Sequence, residues 1–251
     1  MIHSKLNKTI TLGLTGLGLA AGTASAATAL IDIASSAVVT DPAGDGKYWN
    51  TIGQADGALD HSITNMVDSA NVATGFNLAI DVTNIDSGGV SGAGFGGTGV
   101  NGPSGADPFD EANVITDGIF NNNAGNGTAV FSFTGLAASS SYNFSAIGGR
   151  ETNGDDGAII ILDAATSFLG NSAITTEVNY SLLNDGTVRD FSVTSNGSGE
   201  IFFEFRKAST GDTDGSATIN GLSIEGAVVP EPSSTALIGL GGLALILRRR
   251  R

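Results

Sequence analysis

Cysteine is absent from this 251-residue chain, which excludes disulfide bonds, thiolate metal sites, haem attachment through cysteine and cysteine nucleophiles. Only two histidines are present, and one of them lies in the N-terminal segment described below. The other, His61, stands between Asp60 and Ser62, but neighbouring side chains of a strand point to opposite faces and cannot form a catalytic triad. A nucleophile elbow of the form G-x-S-x-G is also missing. These absences leave little room for thiol or serine-based catalysis.

Basic residues are few and unevenly placed. Of 11 Lys and Arg residues, two lie near the N-terminus and four end the chain. The segment from 27 to 229 keeps 5 basic residues against 24 acidic ones, a formal balance of −19. A domain with this charge repels phosphate backbones, which argues against a nucleic-acid partner. The charge instead fits solubility or the binding of divalent cations.

No long stretch of the chain shows the 3.6-residue period of an amphipathic helix. Short runs alternate with a period of two between clusters of Gly, Asn and Asp, and glycine is abundant with 37 residues. Residues 76–82 alternate cleanly, whereas 159–162 and 201–205 are typical of buried strands. About eight to ten strands in about 200 residues predict an all-β fold, a single jelly-roll-like β-sandwich over residues 27–227.

Three segments are less regular. Residues 38–39 are the candidate first strand of the domain. The glycine-dense segment 91–105 predicts an irregular surface loop. Residues 115–122 are compatible with either a short helix or a strand.

The N-terminal residues have the layout of a secretory signal peptide. Lys5 and Lys8 precede a short apolar run over 9–21, which is shorter than the ~20 residues of a membrane span. The expected cleavage point is framed by the small residues Ala24, Ala26 and Ala27. We therefore predict a signal peptide over 1–26 that signal peptidase removes, with an uncleaved anchor as the alternative.

The C-terminal residues combine three features in a fixed order. A Pro230-Glu231-Pro232 sequence precedes an uncharged run over 236–247, and the chain closes on a basic cluster of Arg248, Arg249, Arg250 and Arg251. Twelve helical residues span only about 18 Å of a hydrocarbon core of about 30 Å, so the predicted transmembrane helix is short. By the positive-inside rule the arginines stay cytoplasmic and the domain lies outside.

This order of features resembles the PEP-CTERM sorting signal of Gram-negative bacteria. The resemblance implies that residues 228–251 are handled by an exosortase, a transpeptidase-like membrane enzyme that cuts near Pro230-Glu231-Pro232. It also implies export across the inner membrane, anchoring before processing, and a final place on the cell surface or in the exopolysaccharide matrix. The alternative is a simple tail anchor that is never cut.

Three segments of the central domain look like the galactose-binding-like jelly rolls of carbohydrate-active and surface proteins. They are Tyr48-Trp49-Asn50 and the ranges 141–150 and 216–225. The resemblance implies a sugar-binding domain with a structural Ca²⁺, and Tyr48, Trp49 and Arg150 are the candidate ligand-binding residues. Core packing of Trp49 and pairing of Arg150 with a nearby acid are the alternatives.

Asp-rich loops supply the only candidate cofactor site, a site for Ca²⁺, because this hard cation takes six to eight oxygen ligands. None of the loops matches an EF-hand, and ordinary turn chemistry accounts for them equally well. The candidate Ca²⁺ ligands are Asp41, Asp45, Asp155, Asp156, Asp212 and Asp214.

Because no catalytic constellation is found, the sequence favours a non-enzymatic exported surface protein. Adhesion or association with carbohydrate, including exopolysaccharide, is the leading hypothesis. Two alternatives stay open. One is a secreted carbohydrate-active hydrolase with paired carboxylates, which needs no histidine. The other is a purely structural surface-layer protein.

Overall fold

The computed structural model describes residues 26–34, 46–53, 60–81, 94–97, 108–109, 117–121, 129–148, 157–162, 174–178, 188–207 and 217–228. Within these ranges the chain forms fourteen strands and no helix. The strands are β1 (Ala26–Ala34), β2 (Trp49–Gly53), β3 (Asp60–Ile63), β4 (Asn77–Asp81), β5 (Gly94–Gly97), β6 (Asp117–Asn121), β7 (Ala129–Thr134), β8 (Ser141–Ile147), β9 (Gly157–Leu162), β10 (Ile174–Val178), β11 (Arg189–Thr194), β12 (Ile201–Lys207), β13 (Ala217–Ile219) and β14 (Gly221–Ala227).

Two large sheets carry most of these strands. Sheet A has the order β11-β8-β14-β1-β2, sheet B has the order β10-β9-β12-β7-β4-β3, and β13-β6-β5 form a small third sheet. All neighbours are antiparallel except β1 and β2, which are parallel. Strands β7, β8, β9, β11, β12 and β14 alternate between sheets A and B, which is jelly-roll-like connectivity. The predicted all-β sandwich is confirmed.

The period-two alternation explains how each strand faces the core. In β8, the side chains of Tyr142, Phe144 and Ala146 are buried, whereas Asn143 is exposed and Ser145 is half-buried. Aromatic rings from both sheets meet between them: Phe203 of β12 lies 5.8 Å from Phe144 between ring centroids. The largest fully buried aromatic side chains of this core are Phe76, Phe131, Phe133, Tyr142, Phe144, Phe203 and Phe205.

Three expectations about the less regular segments meet different outcomes. The predicted loop over 91–105 is wrong in part, because β5 lies within it and pairs with β6 despite its glycines. The described part of the ambiguous segment 115–122 is a strand, β6 (Asp117–Asn121). The first strand of the described chain is β1, which the sequence analysis assigned to no strand, and the candidate strand at 38–39 lies outside the described residues.

Candidate functional site

The outer face of sheet A, which points away from the sandwich core, has an apolar half. Leu30, Trp49, Phe109 and Ile147 form a separate buried cluster there. The Phe109 ring covers Gly221, where an added Cβ would lie 3.0 Å from a ring carbon. The neighbouring Pro108 carbonyl accepts a 3.0 Å hydrogen bond from the Lys47 ammonium group. This half of the face is therefore closed by protein.

The other half of the outer face is open and polar. Asn143, Ser145, Asp190, Ser192 and Glu225 line a depression of about 410 Å³, and we call these five residues the polar face. The Ser145 hydroxyl donates a 2.7 Å hydrogen bond to Asp190 Oδ1. The Ser192 hydroxyl donates a 2.7 Å hydrogen bond to Asn143 Oδ1. These bonds orient four of the five side chains before any ligand arrives.

Strand register brings the polar face together from three strands that are distant in sequence. Ser145 of β8 lies opposite Asp190 of β11, and Asn143 lies opposite both Ser192 and Glu225. Because alternate residues share one face of a sheet, all five side chains project from the same side. Phe144 and Phe191 also border the depression, but their rings stack on each other in the core at 5.2 Å.

The side chains of the polar face can contact a ligand through hydrogen bonds. It holds two carboxylates, one amide and two hydroxyl groups, which can accept hydrogen bonds from ligand hydroxyls. Among the residues whose side-chain burial the structure describes, Val72 is the one large hydrophobic side chain that is exposed. An acidic surface with these groups fits a neutral polyhydroxyl ligand and repels an anionic one.

The sequence-predicted ligand residues lie elsewhere. Trp49 is 2% exposed, its ring centroid is 6.0 Å from that of Phe109, and its Nε1 has no hydrogen-bond partner among the described residues. The half-buried Tyr48 donates its backbone N–H to the Ser69 carbonyl. Sugar stacking on Trp49 would require Phe109 to move away. Arg150 lies outside the described residues, so the role of these three side chains stays a prediction.

The polar face was not predicted from the sequence, although the sequence carries a signal for it. The segment from 141 to 147 alternates polar and apolar residues, which places Asn143 and Ser145 on the outer side. The contribution of Asp190 and Glu225 was not visible, because their approach to β8 depends on strand pairing over long sequence distances.

The candidate Ca²⁺ ligands at 41, 45, 155, 156, 212 and 214 all lie outside the described residues. Within the part of the chain that the structure describes, no three His, Asp or Glu side chains come together as a metal-binding group. Ca²⁺ binding by the Asp-rich loops therefore stays a prediction.

The expected signal cleavage point and the last described residues before the sorting sequence lie at the same end of sheet A. Ala26 and Ala27, which flank the expected signal cleavage point, pair with Ala227 and Gly226 at the end of β14. Val228, which follows, packs against the main core. Ala24, the Pro230-Glu231-Pro232 sequence and the arginine cluster lie outside the described residues.

Comparison with known families supports the C-terminal prediction. Residues 228–251 match the family model of the PEP-CTERM protein-sorting motif. The sorting signal predicted from the sequence is confirmed. The PEP-CTERM motif implies export, membrane anchoring before processing, and processing by an exosortase-type enzyme. No curated protein matches this chain, and no helix within the described ranges is long and apolar enough to cross a membrane.

Solved structures resemble the domain only distantly. A CBM36-1 domain of a multidomain xylanase from the hindgut metagenome of Trinervitermes trinervoides has 16% identity and a TM-score of 0.32, with 61% of this chain and 99% of that chain covered. CBM35 of Cellvibrio japonicus Abf62 has 17% identity and a TM-score of 0.29, with 61% and 96% covered. The ANXUR2 extracellular domain of Arabidopsis thaliana has 14% identity and a TM-score of 0.34, with 66% and 56% covered. With similarity this low, the fold assignment depends on the strand topology of the chain itself.

Proposed function

We propose that this chain is an exported surface protein whose β-sandwich associates with carbohydrate through the polar face and has no catalytic activity of its own. The observation that carries the proposal is the depression on sheet A, where four of the five polar side chains are already oriented by mutual hydrogen bonds. Preorganised side chains lose less conformational entropy when a ligand binds. The sorting motif supports a final place at the cell surface or in the exopolysaccharide matrix.

The ligand class follows from charge and chemistry. The segment from 27 to 229 has a formal balance of −19, which includes Asp190 and Glu225 of the polar face. Anionic polysaccharides would be repelled by this surface at low ionic strength. Neutral polysaccharides offer many hydroxyl donors for the carboxylate and amide oxygens. We therefore propose a neutral polysaccharide as the ligand.

A glycan array with the detergent-solubilised full chain tests this proposal. We expect binding to neutral glycans that weakens about tenfold or more in Glu225→Gln, since hydrogen bonds to charged groups contribute about 1.5–3 kcal/mol. Glu200→Gln is the matched control, because it removes the same charge from a residue outside the polar face that bonds Asn196 instead. Equal binding by both variants would refute the polar face as the binding site, and no glycan binding at all would refute the carbohydrate part of the proposal.

Hydrolysis by paired carboxylates is the second candidate, and one observation favours it. Asp190 and Glu225 border the same depression from strands that flank β8. Strand spacings of about 4.8 Å and residue rises of about 3.3 Å place their Cα atoms about 12 Å apart. Glycosidases need carboxyl groups about 5–10 Å apart. Release of reducing ends from a bound polysaccharide, abolished in Asp190→Asn, would establish hydrolysis and overturn the non-enzymatic proposal.

A further inference from the structure

Tyr142 holds the last residues of β14 against the body of the domain. Its hydroxyl donates a 2.8 Å hydrogen bond to the Ala227 carbonyl and accepts a 2.7 Å hydrogen bond from the Ala137 N–H. Its fully buried ring lies so close to Gly226 that an added Cβ would overlap with it. We call the contact of Tyr142 with Gly226 and Ala227 the β14 clamp. It fixes the end of β14.

The sorting motif begins directly after the β14 clamp. Val228 is the first residue of the match to the motif, and it still packs against the hydrophobic core. Pro230 follows only two positions later. An enzyme that cuts near Pro230 and binds its substrate as an extended chain needs backbone groups on the N-terminal side of the cut. Those groups belong to Ala227 and Val228, which the folded domain already holds.

We infer that the β14 clamp controls the access of the exosortase-type enzyme to the sorting motif, so that cutting requires the end of β14 to detach from Tyr142. The inference rests on the proposed processing of the motif. Detachment of a strand end is local unfolding, and its population depends on the contacts that hold the strand. If detachment and re-pairing are fast relative to cleavage, the cleavage rate follows that population.

Two variants of the full chain test the inference in a pulse-chase experiment in the native host. Intact mass spectrometry measures how fast each variant loses the C-terminal tail. Tyr142→Phe removes the hydroxyl and keeps the buried ring. We expect the tail to be lost about two to ten times faster, the range that corresponds to the net strength of one hydrogen bond. A short Gly/Ser insertion between Val228 and Val229 leaves the clamp intact and moves the motif away from it. We expect this variant to be cut at least as fast.

Thr74→Val is the matched control. The buried Thr74 hydroxyl likewise donates to one carbonyl, of Met66 at 2.7 Å, and accepts from one N–H, of Phe76 at 3.0 Å, but it lies between β3 and β4. We expect wild-type kinetics for this variant. Faster cutting of Thr74→Val to the same degree as Tyr142→Phe would assign the effect to global stability and overturn the inference.

Other outcomes separate this inference from the proposal on which it rests. If the wild type, Tyr142→Phe and the insertion variant were all cut at the same rate, the inference that the β14 clamp controls access would be overturned. Processing of the motif would still be established. A wild-type chain that keeps its four terminal arginines indefinitely would contradict processing itself, and the inference with it.

Discussion

Ala26 and Ala227 are paired in register across β1 and β14. The residue before the expected signal cleavage point and a residue just before the sorting motif therefore lie side by side, at the roughly 5 Å spacing of antiparallel neighbours. Because Ala27 also belongs to the ladder, the predicted cut before Ala27 requires signal peptidase to act before β1 joins sheet A. The start of β1, which follows the predicted signal peptide, and the end of β14, which precedes the sorting motif, therefore lie at the same end of sheet A.

The two predicted cuts define the mass of the mature protein. We expect protein recovered from the outer surface of its host to begin at Ala27 and to end near Pro230-Glu231-Pro232. Intact mass spectrometry measures both ends in one experiment. A mass that includes Arg248 to Arg251 would establish a membrane-tethered protein and contradict the proposed processing.

Two glycines in the turn between β11 and β12 are predicted to differ in how much their replacement by alanine lowers stability. Gly199 has a φ of +73°, and an added Cβ would overlap with the Leu136 carbonyl oxygen, whereas Gly197 has no atom within 4 Å of such a Cβ. We expect Gly199→Ala to lower the free energy of unfolding by about 1–3 kcal/mol and Gly197→Ala to change it by less than about 0.5 kcal/mol. Urea denaturation of both variants measures this. Equal effects would show that the turn adapts freely.

Phe203 is predicted to be the most sensitive core position among the stacked aromatic residues. Its ring centroid lies 4.8 Å from Phe131, 5.6 Å from Phe133 and 6.2 Å from Phe191, so it joins both sheets. We expect Phe203→Ala to cost about 3–5 kcal/mol of stability through cavity formation. Phe203→Leu should cost less, which keeps the test valid if the alanine variant fails to fold.

The control for the core prediction is Val72→Ala, since Val72 is 59% exposed. Its effect on the free energy of unfolding should stay within about 0.5 kcal/mol. If thermal or urea unfolding showed that Val72→Ala loses more stability than Phe203→Leu, the result would contradict the described core.

Tyr142 makes the stability of the domain sensitive to alkaline pH. Burial raises the pKa of Tyr142 above its ordinary value of 10.0, and the hydrogen bond from the Ala137 backbone opposes that rise. Because the folded pKa exceeds the unfolded one, this contribution is complete below about pH 10 and is lost as the pH rises further. The free energy of unfolding of the wild type relative to Tyr142→Phe should therefore fall over the pH range above about 10.

The comparison with Tyr142→Phe removes the background of lysine titration, which both proteins share. Urea unfolding at several pH values gives the difference directly. A difference that stays constant across this range would show that the phenol ionises equally in the folded and unfolded chains.

The residues of β4, β9 and β12 show how much of the fold could be predicted. Their alternating or continuous apolar residues identify them as strands. Successive side chains of a strand point to opposite faces, so alternation indicates one buried face and a continuous apolar run indicates two. β1 escaped prediction because its alanine-rich start was interpreted as the region of signal cleavage. The short β5 was missed because glycine has low strand propensity, and its pairing with β6 depends on tertiary context.

The sequence by itself determined the export address, the absence of thiol chemistry, the acidic charge and the all-β class. Each of these depends on composition or on residues that are close along the chain. Only the tertiary structure decided which side chains share a surface. It buried Trp49 beneath Phe109, assembled the polar face from β8, β11 and β14, and joined Ala26 to Ala227. Alternation along one strand defines two faces, but the neighbours and the register of that strand depend on contacts between residues far apart in sequence.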